Sequence, residues 1–171
     1  MITIRKVHIT EADTLLAFSK RTFYESFAHL NDPANMRAYS DIAFMPQRVQ
    51  EELSNPHSEF YFALLDDELT GYLKINFADA QSDLKDENTL EVERIYVADE
   101  HQGKKIGKLL LNFAIDIAQK KQLNYIWLGV WEHNKKAIGF YERHGFKAFS
   151  QHDFYLGNDK QIDLLLKKEL N

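Results

Sequence analysis

The stretch 89–121, TLEVERIYVADEHQGKKIGKLLLNFAIDIAQKK, decides how this chain is read. Its opening TLEVERIYV is rich in β-branched and aromatic side chains, which predicts a strand ending at Val97. Its close, KIGKLLLNFAIDIAQKK, puts Ile106, Leu109, Leu110, Phe113, Ala114 and Ile117 on one helical face, which predicts an amphipathic helix. Between them, His101-Gln102-Gly103-Lys104-Lys105-Ile106-Gly107-Lys108 joins strand end to helix start, where backbone N–H groups point outward at the positive end of the helix dipole. That geometry traps anions: Gly103 and Gly107 permit close backbone approach, and Lys104, Lys105 and Lys108 add positive charge. A diphosphate is the guest this predicts, although the same residues also fit a plain turn with a solvated lysine face. Neither the G-x-x-x-x-G-K-[ST] loop nor the G-x-G-x-x-G fingerprint is present.

Working outward, residues 2–7 alternate as a strand, and Thr10 reads as the N-cap of a helix carrying Leu15, Leu16, Phe18, Phe23 and Phe27. Asp32-Pro33 opens a short helix through Tyr39 and Pro46 another through about Leu53, with Met36 and Leu53 as core contacts. EFYFALL and LTGYLKINF flank an acidic turn at 66–68 and predict a hairpin. A polar, acidic loop follows at 78–88. Downstream, the strand YIWLGV precedes Asn134, an N-cap for a helix whose inner side is Ala137, Ile138, Phe140 and Tyr141, with Gly145 as its stop. Two closing strands surround the turn Gly157-Asn158-Asp159. This order predicts an α+β fold: a central, mixed, mostly antiparallel sheet of about seven strands with helices on both faces, and a single domain over residues 1–171.

The composition is that of a globular protein: 171 residues, 44% hydrophobic and 27% charged, with a formal charge of -5. The negative sign argues against nucleic acid and anionic membrane surfaces as partners. The chain has no cysteine, which removes thiol nucleophiles and zinc-thiolate sites and suits a reducing compartment, so a cytoplasmic location is expected. No signal-peptide pattern opens the chain, and no run approaches the ~20 apolar residues of a membrane span. The histidines and carboxylates show no metal-ligand spacing, so no metal is expected.

The succession ERIYV, HQGKKIGKLLL, WLGVW and NKKAIGFYERHGF resembles the core of the GNAT superfamily of N-acetyltransferases, which move an acetyl group from acetyl-CoA to an amine. The family's phosphate loop, [QR]-x-x-G-x-[GA], stands here as Gln102 to Gly107, with Lys105 where the pattern has glycine. N-x-x-A-x-x-F-Y-x-x-x-G-F is complete from Asn134 to Phe146. A wider similarity covers the Thr22-Phe23 segment, PANMRAYSDIAF, EELSN, INFADAQS and IWLGVWE, and points to bacterial polyamine N-acetyltransferases of the PaiA type. The resemblance implies the GNAT fold, acetyl-CoA as cosubstrate, and spermidine or spermine as acceptor, a small cationic amine, with a homodimer held open as the assembly.

Such chemistry needs a base, because an aliphatic amine of pKa ~10.4 is protonated at neutral pH. Glu91 and Glu93, two apart on one strand, share a side of the sheet and are the candidates, Glu93 first; alternating carboxylates also mark a plain solvent face. Backbone N–H groups at Ile95, Tyr96 and Val97 would stabilise oxyanion charge if the strand is splayed, as the resemblance implies. Tyr141 on its own reads as core or as an acid; the motif places it beside the CoA sulfur as the proton donor. Asn134 caps its helix and, by resemblance, contacts the pantetheine arm. Trp127 and Trp131 share a strand face and could wall an alkyl amine or sit in the core. Asp79, Asp83, Asp86, Glu87 and Glu25 could draw in a polycation or be solvated. Two further functions stay open: acetylation of another amine (a protein amine, an aminoglycoside or a small amino compound), and a non-catalytic CoA-binding regulatory module.

Overall fold

In order, the elements are β1 (Ile2–Lys6), α1 (Ala12–Phe27), α2 (Pro33–Ala43), α3 (Pro46–Ser54), β2 (Ser58–Leu65), β3 (Glu68–Phe77), β4 (Thr89–Val97), α4 (Ile106–Lys120), β5 (Tyr125–Trp131), α5 (Lys135–Arg143), β6 (Lys147–Leu156) and β7 (Asp159–Glu169). They are taken from a computed structural model that describes residues 1–170. The strands form one seven-stranded sheet in the order β1-β2-β3-β4-β5-β7-β6. Every pairing is antiparallel except β4 with β5. This is the expected mixed, mostly antiparallel sheet.

Helices cover both faces because alternate residues of the central strands are apolar on both sides. On one face, Leu73, Ile75, Leu90, Val92, Ile126 and Leu128 pack under α4 and Tyr141 of α5. On the other, Phe60, Phe62 and Tyr72 meet Leu15 and Phe18 of α1 and Val49 of α3. A third cluster, Phe23, Met36, Ala43, Phe44 and Leu156, ties α1 and α2 to the end of β6.

Three details depart from the sequence expectations. Thr10 is not the cap of α1: a 3-10 turn over Ile9–Glu11 comes first, and the His8 ring accepts from the Thr10 N–H at 3.3 Å. Glu11 accepts from the His8 N–H at 2.9 Å and takes Arg5 in a two-pronged ion pair, so the long helix starts only at Ala12. α2 runs on past Tyr39 to Ala43, because Met36, Ser40 and Ala43 make a buried stripe. The inner face of α4 is rotated from the expected one: Leu110, Leu111, Ala114, Ile115 and Ala118 are buried, while Leu109 is 40% exposed. Alanines at 114 and 118 let the helix lie close on the sheet.

Candidate active site

The parallel β4–β5 pair is brief. It holds register from Thr89↔Tyr125 to Glu91↔Trp127, and beyond that the two strands have no paired residues. The cause lies in β4, where the register with β3 passes from Ile75↔Val92 to Lys74↔Arg94 and leaves Glu93 as an extra residue. Such a bulge bends its strand. Glu93 to Val97 are consequently half-buried in an otherwise buried strand, with the backbone edge that faced β5 left open. Ile95 and Val97 thus turn their N–H groups toward a cleft in the middle of the sheet, whereas Tyr96, in step with Ala98 whose N–H bonds Thr70, turns its N–H to β3 and not to the cleft as expected.

The loop that was expected to hold a diphosphate stands at the end of this strand. Gly103 has φ +84° and Lys105 φ +65°, so the lysine occupies the left-handed conformation that glycine takes freely. No side chain caps α4, and its first internal bond is Leu109 N–H to Lys105 O at 3.1 Å. The N–H groups of Ile106, Gly107 and Lys108 therefore keep their hydrogens for an outside acceptor. Gly107 keeps the approach clear: a side chain there would reach Val97 and Phe140 at 3.9 Å, which brings β4, α4 and α5 together at one mouth. Gln102 leans on the Val97 carbonyl at 3.4 Å and accepts from Lys136 at 3.4 Å. Lys104 turns to His101 at 3.0 Å, while Lys105 and Lys108 are exposed. This chemistry, free amides beside cationic side chains, fits a pyrophosphate.

Glu91 and Glu93 both reach the Asn76 amide, at 2.9 and 3.3 Å, yet their surroundings differ. Glu91 is buried, accepting also from the Ser82 N–H at 2.8 Å and from the Ser82 hydroxyl. Burial holds its carboxyl above the usual glutamate range. Glu93 lies 2.7 Å from Lys74 Nζ and 3.2 Å from Arg94 Nε. Burial alone would raise it, but Arg94 first and then Lys74 outweigh that and hold it below the usual range. Its Oε2, though shielded, accepts no well-directed hydrogen bond. Glu52 of α3 completes the network, 3.1 Å from Lys74 and 3.2 Å from Arg94.

Glu52, Lys74, Asn76, Ser82 and Arg94 were missed in the sequence. One signal was available: in GYLKINF the face shared by Tyr72, Lys74 and Asn76 turns polar in a strand flanked on both sides. Lys74 is 4% exposed and Asn76 is fully buried.

Tyr141 is buried against Phe140 and Phe146, and burial alone raises its phenol above the usual tyrosine range. Asn134 caps α5 by accepting from the Ala137 N–H at 3.2 Å. Trp127 and Trp131 do not form one wall: Trp127 is fully buried, its indole donating to Gln81 at 2.7 Å, and Trp131 is half-buried with its ring 6.4 Å from Phe27. Most of the acidic residues have local partners. Asp79 pairs with His57, Asp83 with His152 and Glu25 with Arg21, while Asp86 accepts from the Asn88 N–H. Among the described residues, no three His, Asp or Glu side chains are grouped to hold a metal ion, and no helix is long and apolar enough to cross a membrane.

A parallel strand pair parted by a bulge thus has an uncapped helix start at its mouth. The Acetyltransferase (GNAT) family pattern matches residues 19–146, and the chain belongs to this family. An uncharacterized N-acetyltransferase from the pepI 3' region of Lactobacillus delbrueckii subsp. lactis is 39% identical over 172 residues, covering 99% of each chain. A spermidine N(1)-acetyltransferase of Thermoplasma acidophilum is 26% identical over 151 residues, 86% of this chain and 89% of that one. The crystal structure of a PaiA N-acetyltransferase from the same organism, in complex with coenzyme A, superposes with a TM-score of 0.79 at 25% identity, covering 99% of both chains. The chain is an acyltransferase with acetyl-CoA as its cosubstrate.

Proposed function

We propose that residues 1–171 act as one N-acetyltransferase domain in the cytoplasm, acetylating polyamines of the spermidine and spermine kind by direct attack of the amine. The observation that carries the polyamine reading is the aromatic lining beside the parted strands, where Tyr96, Phe27 and Trp131 follow one another at 6.4 Å centroid spacings. Rings suit both the methylene stretches and the ammonium groups of a polyamine. The likeness to a spermidine acetyltransferase supports the same class.

Acetyl-CoA supplies the activated acyl group. The amides of Ile106, Gly107 and Lys108, with Gln102, Gly103, Lys104 and Lys105, hold its pyrophosphate; Asn134 orders the start of α5 beside the pantetheine arm. Glu93 takes the amine's proton, directly or through water. It is the better base because it stands at the bulge beside the parted strands and is kept ionised by Lys74 and Arg94, whereas Glu91 is buried and engaged by Asn76 and Ser82. Lys74 and Arg94 beside it disfavour an ammonium and so favour the free amine that attacks. N–H groups on the open edge at Ile95 and Val97 stabilise charge developing on the carbonyl oxygen. Tyr141 then returns a proton to the departing thiolate.

Thiol release from acetyl-CoA, measured with spermidine, spermine, a lysine peptide and an aminoglycoside offered separately, tests this. The polyamines are expected to give the highest kcat/KM. Faster release with the peptide or aminoglycoside would move the assignment to that acceptor. Binding of CoA with no release from any of them would make the protein a regulatory module.

A further inference from the structure

The sheet face that carries Glu93 continues across the cleft to groups that acetyl transfer itself does not use. Gly129 is exposed although β5 lies inside the sheet, because β4 has parted from it and glycine leaves the gap unfilled. A Cβ at this position would stand 3.7 Å from Asp163 Oδ2, so the carboxylate borders the space that glycine keeps open. Asp163 of β7 sits opposite Trp131 of β5 on one side and His152 of β6 on the other. His152 is held in turn, its Nδ1 2.8 Å from Asp83 and its Nε2 3.5 Å from Asp163. The cover is aromatic: Phe27 spans from Tyr96 to Trp131, and Tyr39 packs on Phe154 at 5.5 Å while sensing the charges of Arg94 and Glu93.

Asp163 on β7 thus borders the gap that opens where β4, the strand of Glu93, parts from β5. The other acids near it are already engaged: Glu91 by Asn76 and Ser82, Glu93 by Lys74 and Arg94, Asp83 by His152. Asp163 has only the long contact to His152 among the described residues. Burial leaves its charge poorly solvated and its carboxyl above the usual aspartate range.

We propose that Asp163, oriented by His152 and Asp83, binds a second ammonium group of the acceptor, so that the enzyme selects amines bearing a second positive charge over monoamines. Resting on the polyamine reading above, the inference adds the residue that makes the choice. Trp131, opposite Asp163, offers its ring face to the same cation, and Phe27 and Tyr96 flank the methylenes between the two nitrogens.

The test compares kcat/KM for spermidine with kcat/KM for n-propylamine in the wild-type protein, Asp163→Asn and Asp163→Glu. Thermal melts confirm that each variant is folded. Wild type is expected to prefer spermidine, Asp163→Asn to cut that preference at least about tenfold mainly through the KM for spermidine, and Asp163→Glu to restore part of it. A preference for spermidine that survives Asp163→Asn overturns the role of Asp163 alone. Wild-type protein that takes propylamine as readily as spermidine overturns the polyamine reading and this inference together. His152→Gln, which keeps a donor without the ring, is expected to weaken the preference less than Asp163→Asn; an effect larger than that of Asp163→Asn would also overturn the assignment.

Discussion

Glu91 and Glu93 lie two residues apart and end in opposite electrostatic states. Glu91 is saturated with neutral donors and held above the usual glutamate range by burial, whereas two cations hold Glu93 below it. A carboxylate held low is ionised at every working pH, so Glu93 sets no acid limit near neutrality. The rise of kcat/KM with pH then reports loss of the amine's own proton, and activity on an aliphatic amine climbs from pH 7 toward the alkaline range. The opposite limit belongs to Tyr141, which must be protonated to act as an acid. Burial raises its phenol, so the alkaline fall in kcat is expected above the ordinary tyrosine pKa of about 10. Tyr141→Phe is expected to lower kcat roughly 100-fold, abolish that alkaline limit and leave acetyl-CoA affinity unchanged. An unaltered kcat across the pH profile would remove Tyr141 from the proton transfer.

At the scale of the element, β4 is the strand on which the site depends, and its path is set by its neighbours as much as by its own residues. Gly71 of β3 stands against it: a Cβ there would lie 2.8 Å from the Tyr96 carbonyl oxygen and 3.3 Å from Leu110. Backbone cannot yield as a flexible side chain does. Gly71→Ala is therefore expected to cost about 1–3 kcal/mol in denaturant unfolding and to raise the KM for acetyl-CoA, because β4 must shift where it borders the cleft. Stability within error of wild type would show that the strand has more freedom than this contact allows. Alternation alone made β4 legible as a strand but hid its bulge, since one extra residue leaves no mark in the apolar pattern. The buried stripe of α4 was misjudged for a related reason. Several apolar arcs of KIGKLLLNFAIDIAQKK are nearly equivalent, and the small Ala114 and Ala118 decided which arc settles on the sheet.

Over the whole molecule, cosubstrate binding and folding are linked, because a ligand held by the folded state alone stabilises it. At a hundredfold excess over Kd this amounts to about 2.7 kcal/mol, or roughly 5 °C or more in Tm for a chain of this size. The uncapped start of α4 should carry much of that response. Gly107→Asp has room for its side chain, since the nearest atoms to a Cβ there lie at 3.9 Å. It would set a carboxylate among the amides meant for the pyrophosphate. The unliganded variant is expected to melt within about 2 °C of wild type, while the shift with CoA disappears. A retained shift would mean that the pyrophosphate is held elsewhere.

The sequence by itself determined the order of strands and helices, the glycine- and lysine-bearing loop before α4, the cap at Asn134 and the membership in an acetyl-transferring family. These depend on local periodicity, on residue types that suit one backbone conformation, and on motifs contiguous in the chain. Tertiary structure alone decided that β4 bulges and parts from β5, that Glu52, Lys74 and Arg94 surround Glu93, that Trp127 is core while Trp131 is half-buried against Phe27, and that Asp163 borders the space Gly129 leaves open. Those are relations between residues far apart in sequence. Their charges and distances follow from strand register and sheet order, which no local pattern encodes.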